Sequence, residues 1–356
     1  MNNNKWIAHE NIKEGNSINL LCFIFDGGSA GYFATWKYGL SDTINLIPIL
    51  YPVREKRKKE EMYKDMEAFV TDLVMCLGDV LKGRYAFFGY CSGAVIAYEV
   101  AALAKKLYGV DPEYGMIISS EAPKYLCNSI PICTKDNEKE LFYNHMRVLP
   151  TISNEMLEDK LFMEYYAPLM VADYKLLRTY MYKKHEMLNC DFDVIICSSD
   201  SKINRKKVEE WEELTTGKTV IIDKEGGHFL VETQKEYIFD KLNERLSNKV
   251  AVKRKDVQST TKKEINNLTD IEREVIDIWE KVFGISDFIP TDNFFYKGGD
   301  SFKAAKIINL INQKFDIRLN INDIFNYPQI KMLGKYISTN IISKETETDN
   351  LDEGEI

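Results

Sequence analysis

None of the seven cysteines forms a CxxC pair, and an odd number without regular spacing supports neither a disulfide framework nor a zinc site, so no metal is expected. That usage suits a reducing compartment, and the expected location is the cytoplasm. No apolar run approaches the ~20 residues that span a bilayer. The opening Met1-Asn2-Asn3-Asn4-Lys5-Trp6 lacks the long apolar region of a secretory signal. Positive charge is not in excess: a formal net charge of −8 gives no reason to expect nucleic acid or an anionic membrane as partner. Histidine is scarce, with four, which narrows the search for a proton-transfer group. What the chain does have is 45% hydrophobic residues over 356 positions, enough for a large core and a length that predicts two or three domains.

Short apolar runs bounded by Gly, Asp and Ser recur through the first 230 residues. Ile18–Phe25, Asn45–Tyr51, Ala86–Phe88, Tyr114–Ser120, Asp193–Cys197 and Thr219–Asp223 read as strands, and helical patterns lie between them. A charged stretch from Arg54 to Lys64 leads into a helix over about 66–81, and another covers about 233–246. The alternation predicts an α/β fold with a mainly parallel sheet. Residues 135–188 interrupt it with a helical insertion rich in aromatics, among them Phe142, Tyr143, Phe162, Tyr165, Tyr166, Tyr174, Tyr180 and Tyr182. An insertion of that size between strands suits a lid, and packing of helices together accounts for most of the rings.

The chemistry concentrates at Gly89-Tyr90-Cys91-Ser92-Gly93. A strand that turns at once into a helix brings its backbones close together two residues either side of the apex, where Gly89 and Gly93 stand. Residue 91 is then exposed on the turn, in the G-x-S-x-G elbow pattern with cysteine for serine. A helix N-terminus behind it would lower the thiol pKa. Cys22, Cys76 and Cys197, by contrast, read as small buried hydrophobes.

Later strand ends present Asp200 and then His228, so that Cys91, Asp200 and His228 follow the chain order nucleophile, acid, histidine. In such a set the thiol attacks an acyl carbon, the imidazole moves the proton, and the carboxylate fixes the imidazole tautomer. His228 follows a strand and a Gly-Gly turn; His9 is near the terminus, and His145 and His185 lie in the insertion. Asp193 and Asp223 compete with Asp200, whose place just past a strand end favours it. The oxyanion hole would take the Ser92 backbone N–H and a second N–H from the Asp26 region.

These residues, with Cys22-Phe23, Gly27-Gly28-Ser29-Ala30, Val171-Ala172-Asp173-Tyr174, Leu177-Arg178-Thr179-Tyr180 and Gly227-His228-Phe229, resemble the stand-alone type II thioesterases of nonribosomal peptide and polyketide synthesis. The resemblance covers residues 18–246 and implies an α/β-hydrolase fold with a helical lid, acting on acyl groups thioester-linked to carrier domains. The chain departs from that family in three places: Cys91 replaces serine, Ser92 stands where methionine is usual, and Asp26 replaces a small residue before Gly27. A carboxylate there opposes charge developing in an oxyanion hole unless it points away. Exchange of one thioester for another is nearly neutral energetically, so a cysteinyl thioester suits onward acyl transfer as well as hydrolysis.

Residues 248–267 carry Lys249, Lys253, Arg254, Lys255, Lys262 and Lys263 among polar residues and read as a basic flexible linker. A chain of that length spans about 25 Å, so loading in cis is feasible. Residues 268–340 resemble a peptidyl or acyl carrier domain, through the helix opening at Leu268-Thr269-Asp270-Ile271-Glu272 and the signature Asp292-Asn293-Phe294-Phe295 with Gly298-Gly299-Asp300-Ser301. That implies a small all-α four-helix domain with 4′-phosphopantetheine attached covalently to Ser301. Implied partners are the carrier domains of synthetases and a phosphopantetheinyl transferase. Residues 341–356 are acidic and predicted to be a disordered tail. The boundaries read as a hydrolase domain over 1–247, the linker, the carrier domain and the tail. A competing function class makes the first domain a non-catalytic docking partner, with the carrier domain alone functional.

Overall fold

The computed structural model describes residues 4–8, 17–134, 136–146, 160–228, 230–247, 268–286, 288–292, 294, 297, 299 and 301–352. The expected linker at 248–267 lies outside them, as do His9, Phe229, Asn293, Phe295, Gly298 and Asp300. The chain divides into two compact units: residues 1–152 with 166–252, which hold the sheet, and residues 153–165 with 253–356, which hold the C-terminal helices.

The first unit holds a six-stranded sheet of β1 (Ile18–Phe23), β2 (Ile44–Pro48), β3 (Tyr85–Tyr90), β4 (Tyr114–Ile118), β5 (Asp191–Ile196) and β6 (Thr219–Asp223). All pairings are parallel, in the order β2-β1-β3-β4-β5-β6. Every residue of β3 and β4 is buried, which is why these strands read as unbroken apolar runs rather than alternating ones. The order reverses at β1, whose neighbours are β2 on one side and β3 on the other. In open parallel sheets a ligand crevice forms outside the carboxyl ends of strands at such a reversal. The ends of β1 and β3 are where Asp26 and Cys91 stand.

Helix α1 (Met66–Cys76) is capped by the Asp65 carboxylate, which accepts from the Ala68 N–H at 2.8 Å. A separate turn over Gly78–Leu81 completes the helical stretch foreseen there. Helix α2 (Ser92–Tyr108) follows the elbow directly and packs on α1, β3 and β1. Its alanines, 94, 97, 101, 102 and 104, are buried and permit the close approach. The insertion contains α3 (Glu138–Met146) and α4 (Lys160–Arg178). Buried Tyr166, Leu169, Met170, Asp173, Tyr174 and Leu177 recur at helical spacing and form the inward face of α4. Helix α5 (Lys235–Leu246) packs against β4. Cys22 and Cys197 are buried as expected, but Cys76 is exposed, because it falls on the outer side of α1's last turn.

The C-terminal part of the second unit has four helices among the described residues: α6 (Asp270–Phe283), α7 (Ser301–Phe315), α8 (Ile321–Asn326) and α9 (Ile330–Asp352). Thr269 and Glu272 exchange hydrogen bonds in a capping box that fixes the start of α6. Trp279, Phe283, Phe288 and Phe294 form the aromatic centre of this unit, with ring centroids 5.1–5.9 Å apart. The expected disordered tail is corrected in part: α9 continues through 341 to Asp352, since no glycine or proline occurs between Gly334 and Gly354 to stop it.

Candidate active site

Cys91 sits between β3 and α2 at φ 53°, ψ −123°, a left-handed backbone that costs a non-glycine residue about 1–3 kcal/mol. Its N–H is held by the Ile118 carbonyl of β4 at 2.8 Å. The flanking glycines are required by space. A Cβ on Gly93 would lie 2.5 Å from the Ile24 carbonyl oxygen, and one on Gly89 would lie 2.3 Å from Ala94 Cα. Cys91 is half-buried at the apex of this turn.

The structure brings Asp200 and His228 together. The His228 Nδ1 lies 2.7 Å from Asp200 Oδ2, and Asp200 also accepts the Lys202 backbone N–H at 2.9 Å through Oδ1. The His228 carbonyl receives the Tyr90 hydroxyl at 3.0 Å, tying the histidine loop to the strand that carries Cys91. Burial pushes the Asp200 carboxyl up, but His228 and Lys202 outweigh it and hold the acid below its ordinary value. Its contribution to stability is thus present above the unfolded pKa of about 4 and is lost as pH falls through the lower folded value. Of the competing aspartates, Asp193 binds Arg245 and the Tyr114 hydroxyl, while Asp223 binds Arg205 and Ser198. Both belong to structural networks.

One expectation is reversed. Burial, reinforced by the Asp26 charge, pushes the Cys91 thiol well up, and the Ser92 backbone N–H lowers it only in part. The helix N-terminus does not win because desolvation of the thiolate is the larger effect. The Asp26 side chain also points toward the elbow, not away. Its Oδ1 accepts from the Ser92 hydroxyl at 3.1 Å and lies 3.8 Å from Cys91 Sγ. The neighbouring Gly27 N–H donates to Asp173 Oδ2 at 2.7 Å and so is committed to that carboxylate.

That Asp173 contact belongs to a clamp formed with Arg54, the first residue of the charged stretch. Arg54 is 1% exposed and Asp173 4% exposed. The Arg54 guanidinium pairs with Asp173 through one nitrogen and donates to the Gly28 carbonyl through another. Residues 53 and 55 on either side have φ of 71° and 48°, so the loop is bent to bring the guanidinium inside. A signal was available: Asp173 lies within the apolar stripe of α4, where an unpaired charge is not tolerated. Arg54→Ala would leave that carboxylate buried without its partner, and a loss of about 3–5 kcal/mol is expected. Urea unfolding of the full chain followed by tryptophan fluorescence measures it.

In the second unit the helix that was expected to open at Ser301 does so, with residue 301 as the first position of α7. Gly299 turns back on Phe294, donating to its carbonyl at 2.7 Å, and a Cβ there would lie 2.4 Å from the Phe294 ring.

Comparison with known proteins decides the family. The thioesterase domain profile matches residues 18–246, well over half of the chain. The chain belongs to the thioesterase family. A phosphopantetheine attachment site profile matches residues 273–337 and implies covalently attached 4′-phosphopantetheine. A serine at the first position of a fifteen-residue helix fits that group, because the free backbone N–H groups there favour a phosphate. The thioesterase region is similar to thioesterase PikA5 of Streptomyces venezuelae, 26% identical over 242 residues, covering 68% of this chain and 85% of that protein. It is also similar to the gramicidin S biosynthesis protein GrsT of Aneurinibacillus migulanus, 26% identical over 239 residues, covering 66% and 91%. Among solved structures, the type II thioesterase BorB from the borrelidin biosynthetic cluster shares the fold at TM-score 0.59 and 21% identity, over 68% of this chain and 97% of that one. This family member is thus a thioesterase-type α/β-hydrolase carrying a phosphopantetheine domain on the same chain. No helix among its described residues is long and apolar enough to cross a membrane.

Proposed function

We propose that the chain takes an acyl or aminoacyl group from a carrier-bound pantetheine thioester onto Cys91 and releases it to water or to a second thiol. The observation that carries this reading is the Asp200–His228 pair at 2.7 Å, on strand ends of the same sheet whose central elbow presents Cys91. Asp200 fixes the imidazole with Nδ1 toward the carboxylate, leaving Nε2 to take the thiol proton. The sulfur then attacks the acyl carbon, and the imidazolium returns the proton to the leaving thiol. The Ser92 N–H, which lowers the Cys91 thiol in part, is the proposed donor to the developing oxyanion.

Ser301 is the proposed attachment point of 4′-phosphopantetheine, which would supply a mobile thiol as donor or acceptor. The relatives' names, a biosynthesis protein for gramicidin S and a thioesterase of a borrelidin cluster, support synthetase carrier domains as the source of the acyl group. Priming of Ser301 calls for a phosphopantetheinyl transferase as a second partner. The proposed boundaries are a hydrolase domain to residue 247 and a carrier domain from 268 to 340.

The test uses the full chain and a carrier loaded with a radiolabelled acyl group. Label on Cys91 in a rapid quench, followed by label on a second carrier or in free acid, is the expected result. Turnover with no label ever on Cys91 overturns it.

A further inference from the structure

We propose that the Asp26 carboxylate selects aminoacyl over plain acyl thioesters by pairing with the substrate's ammonium group. This rests on the preceding reading that Cys91 accepts the acyl group. Asp26 is 6% exposed, and its Oδ1 lies 3.8 Å from Cys91 Sγ and 3.1 Å from the Ser92 hydroxyl. It stands at the end of β1, immediately beside the strand that carries the elbow.

The geometry of the acyl group makes the pairing natural. In an aminoacyl group bonded to Sγ, the α-nitrogen is three bonds from the sulfur, so it stands roughly 3 Å away. A carboxylate oxygen 3.8 Å from the same sulfur comes within ion-pair reach of that nitrogen when the Cα–N bond turns toward the end of β1. A plain fatty acyl group puts a methylene there instead, against a buried carboxylate, and brings no positive charge to it.

The electrostatics favour the same substrate. Asp26 raises Tyr51, Tyr174, Asp173 and Cys91 alike, so it is a source of negative potential across the whole site; the exposed Lys202 acts on Cys91 in the opposite sense. With an uncharged acyl group, that potential opposes both the thiolate and the oxyanion. An ammonium placed between Asp26 and the sulfur cancels it, so the cation that is recognised also eases deprotonation of Cys91. Proton and bonds balance as follows. Cys91 gives its proton to His228 and forms a C–S bond to the acyl carbon. The C–S bond to pantetheine breaks, and the departing sulfur takes the proton back.

The experiment compares alanyl-pantetheine with propionyl-pantetheine, which differ only in the amine, using the full chain. The rate of acyl adduct formation on Cys91 is read by intact mass and normalised to each thioester's exchange with a free thiol. An alanyl preference of at least about 100-fold is expected, since a site built to pair a polar group rejects the analogue that lacks it. In Asp26→Asn the preference should collapse to within about 5-fold, through slower alanyl and faster propionyl transfer. Equal rates for the two thioesters in the native chain overturn the proposal and leave the Cys91 reading intact. A preference unchanged in Asp26→Asn also overturns it. Adducts from neither thioester remove the Cys91 reading and this proposal with it. The native comparison needs no variant, so a poorly folded Asp26→Asn does not protect the proposal.

Discussion

Cys91→Ala is expected to lower carrier-thioester turnover by about 10⁶-fold, the scale on which removing a nucleophile disables a hydrolase triad. The acyl adduct should vanish from intact mass spectra at the same time. The substitution removes one sulfur from a half-buried position and leaves the Asp200–His228 pair untouched, so the fold should persist. Circular dichroism and the unfolding midpoint check that the loss is chemical. A variant that folds and still turns over its substrate would return the first unit to the docking role and end the enzymatic reading of this elbow.

Ser301→Ala is expected to abolish 4′-phosphopantetheine addition completely, because the phosphodiester has no other oxygen to form on at that position. The readout is the mass of the chain after treatment with a phosphopantetheinyl transferase and coenzyme A. Alanine keeps α7 helical, and loss of a hydroxyl at its first turn should cost no more than about 1 kcal/mol. Addition that survives the substitution would move the attachment point elsewhere and leave Ser301 as a helix-starting residue. The two variants separate the domains' roles: in Ser301→Ala, Cys91 should still accept acyl groups from thioesters supplied in solution.

Much of this was legible from the sequence because the governing physics is local. Strands such as Tyr85–Tyr90 announce themselves by being wholly apolar, and Gly89 and Gly93 mark a backbone crossing that no side chain survives. Asp200 and His228 follow β5 and β6, neighbouring parallel strands, which is why loops distant in the sequence bring the two side chains to 2.7 Å. What escaped depended on partners distant in the chain. Arg54 opens a charged stretch in the sequence, and nothing local points to its carboxylate partner, which lies 119 positions later on a helix of the insertion. The direction in which Asp26 points, and the outcome of burial against helix N-terminus at Cys91, are likewise decided by three-dimensional surroundings. The helical course of residues 341–352 was missed because acidic composition was weighed above the lack of a stop signal.

The Arg54 clamp has a bearing on remodelling the enzyme. One guanidinium fastens the glycine turn after β1 and the inserted helix α4 to each other, so those parts behave as a single jaw. A designer seeking room for bulkier acyl chains should therefore leave residues 166–177 in place. Swapping in a foreign helix at that point would strand a guanidinium in the interior and slacken the turn beside the sulfur, even with every reacting group retained.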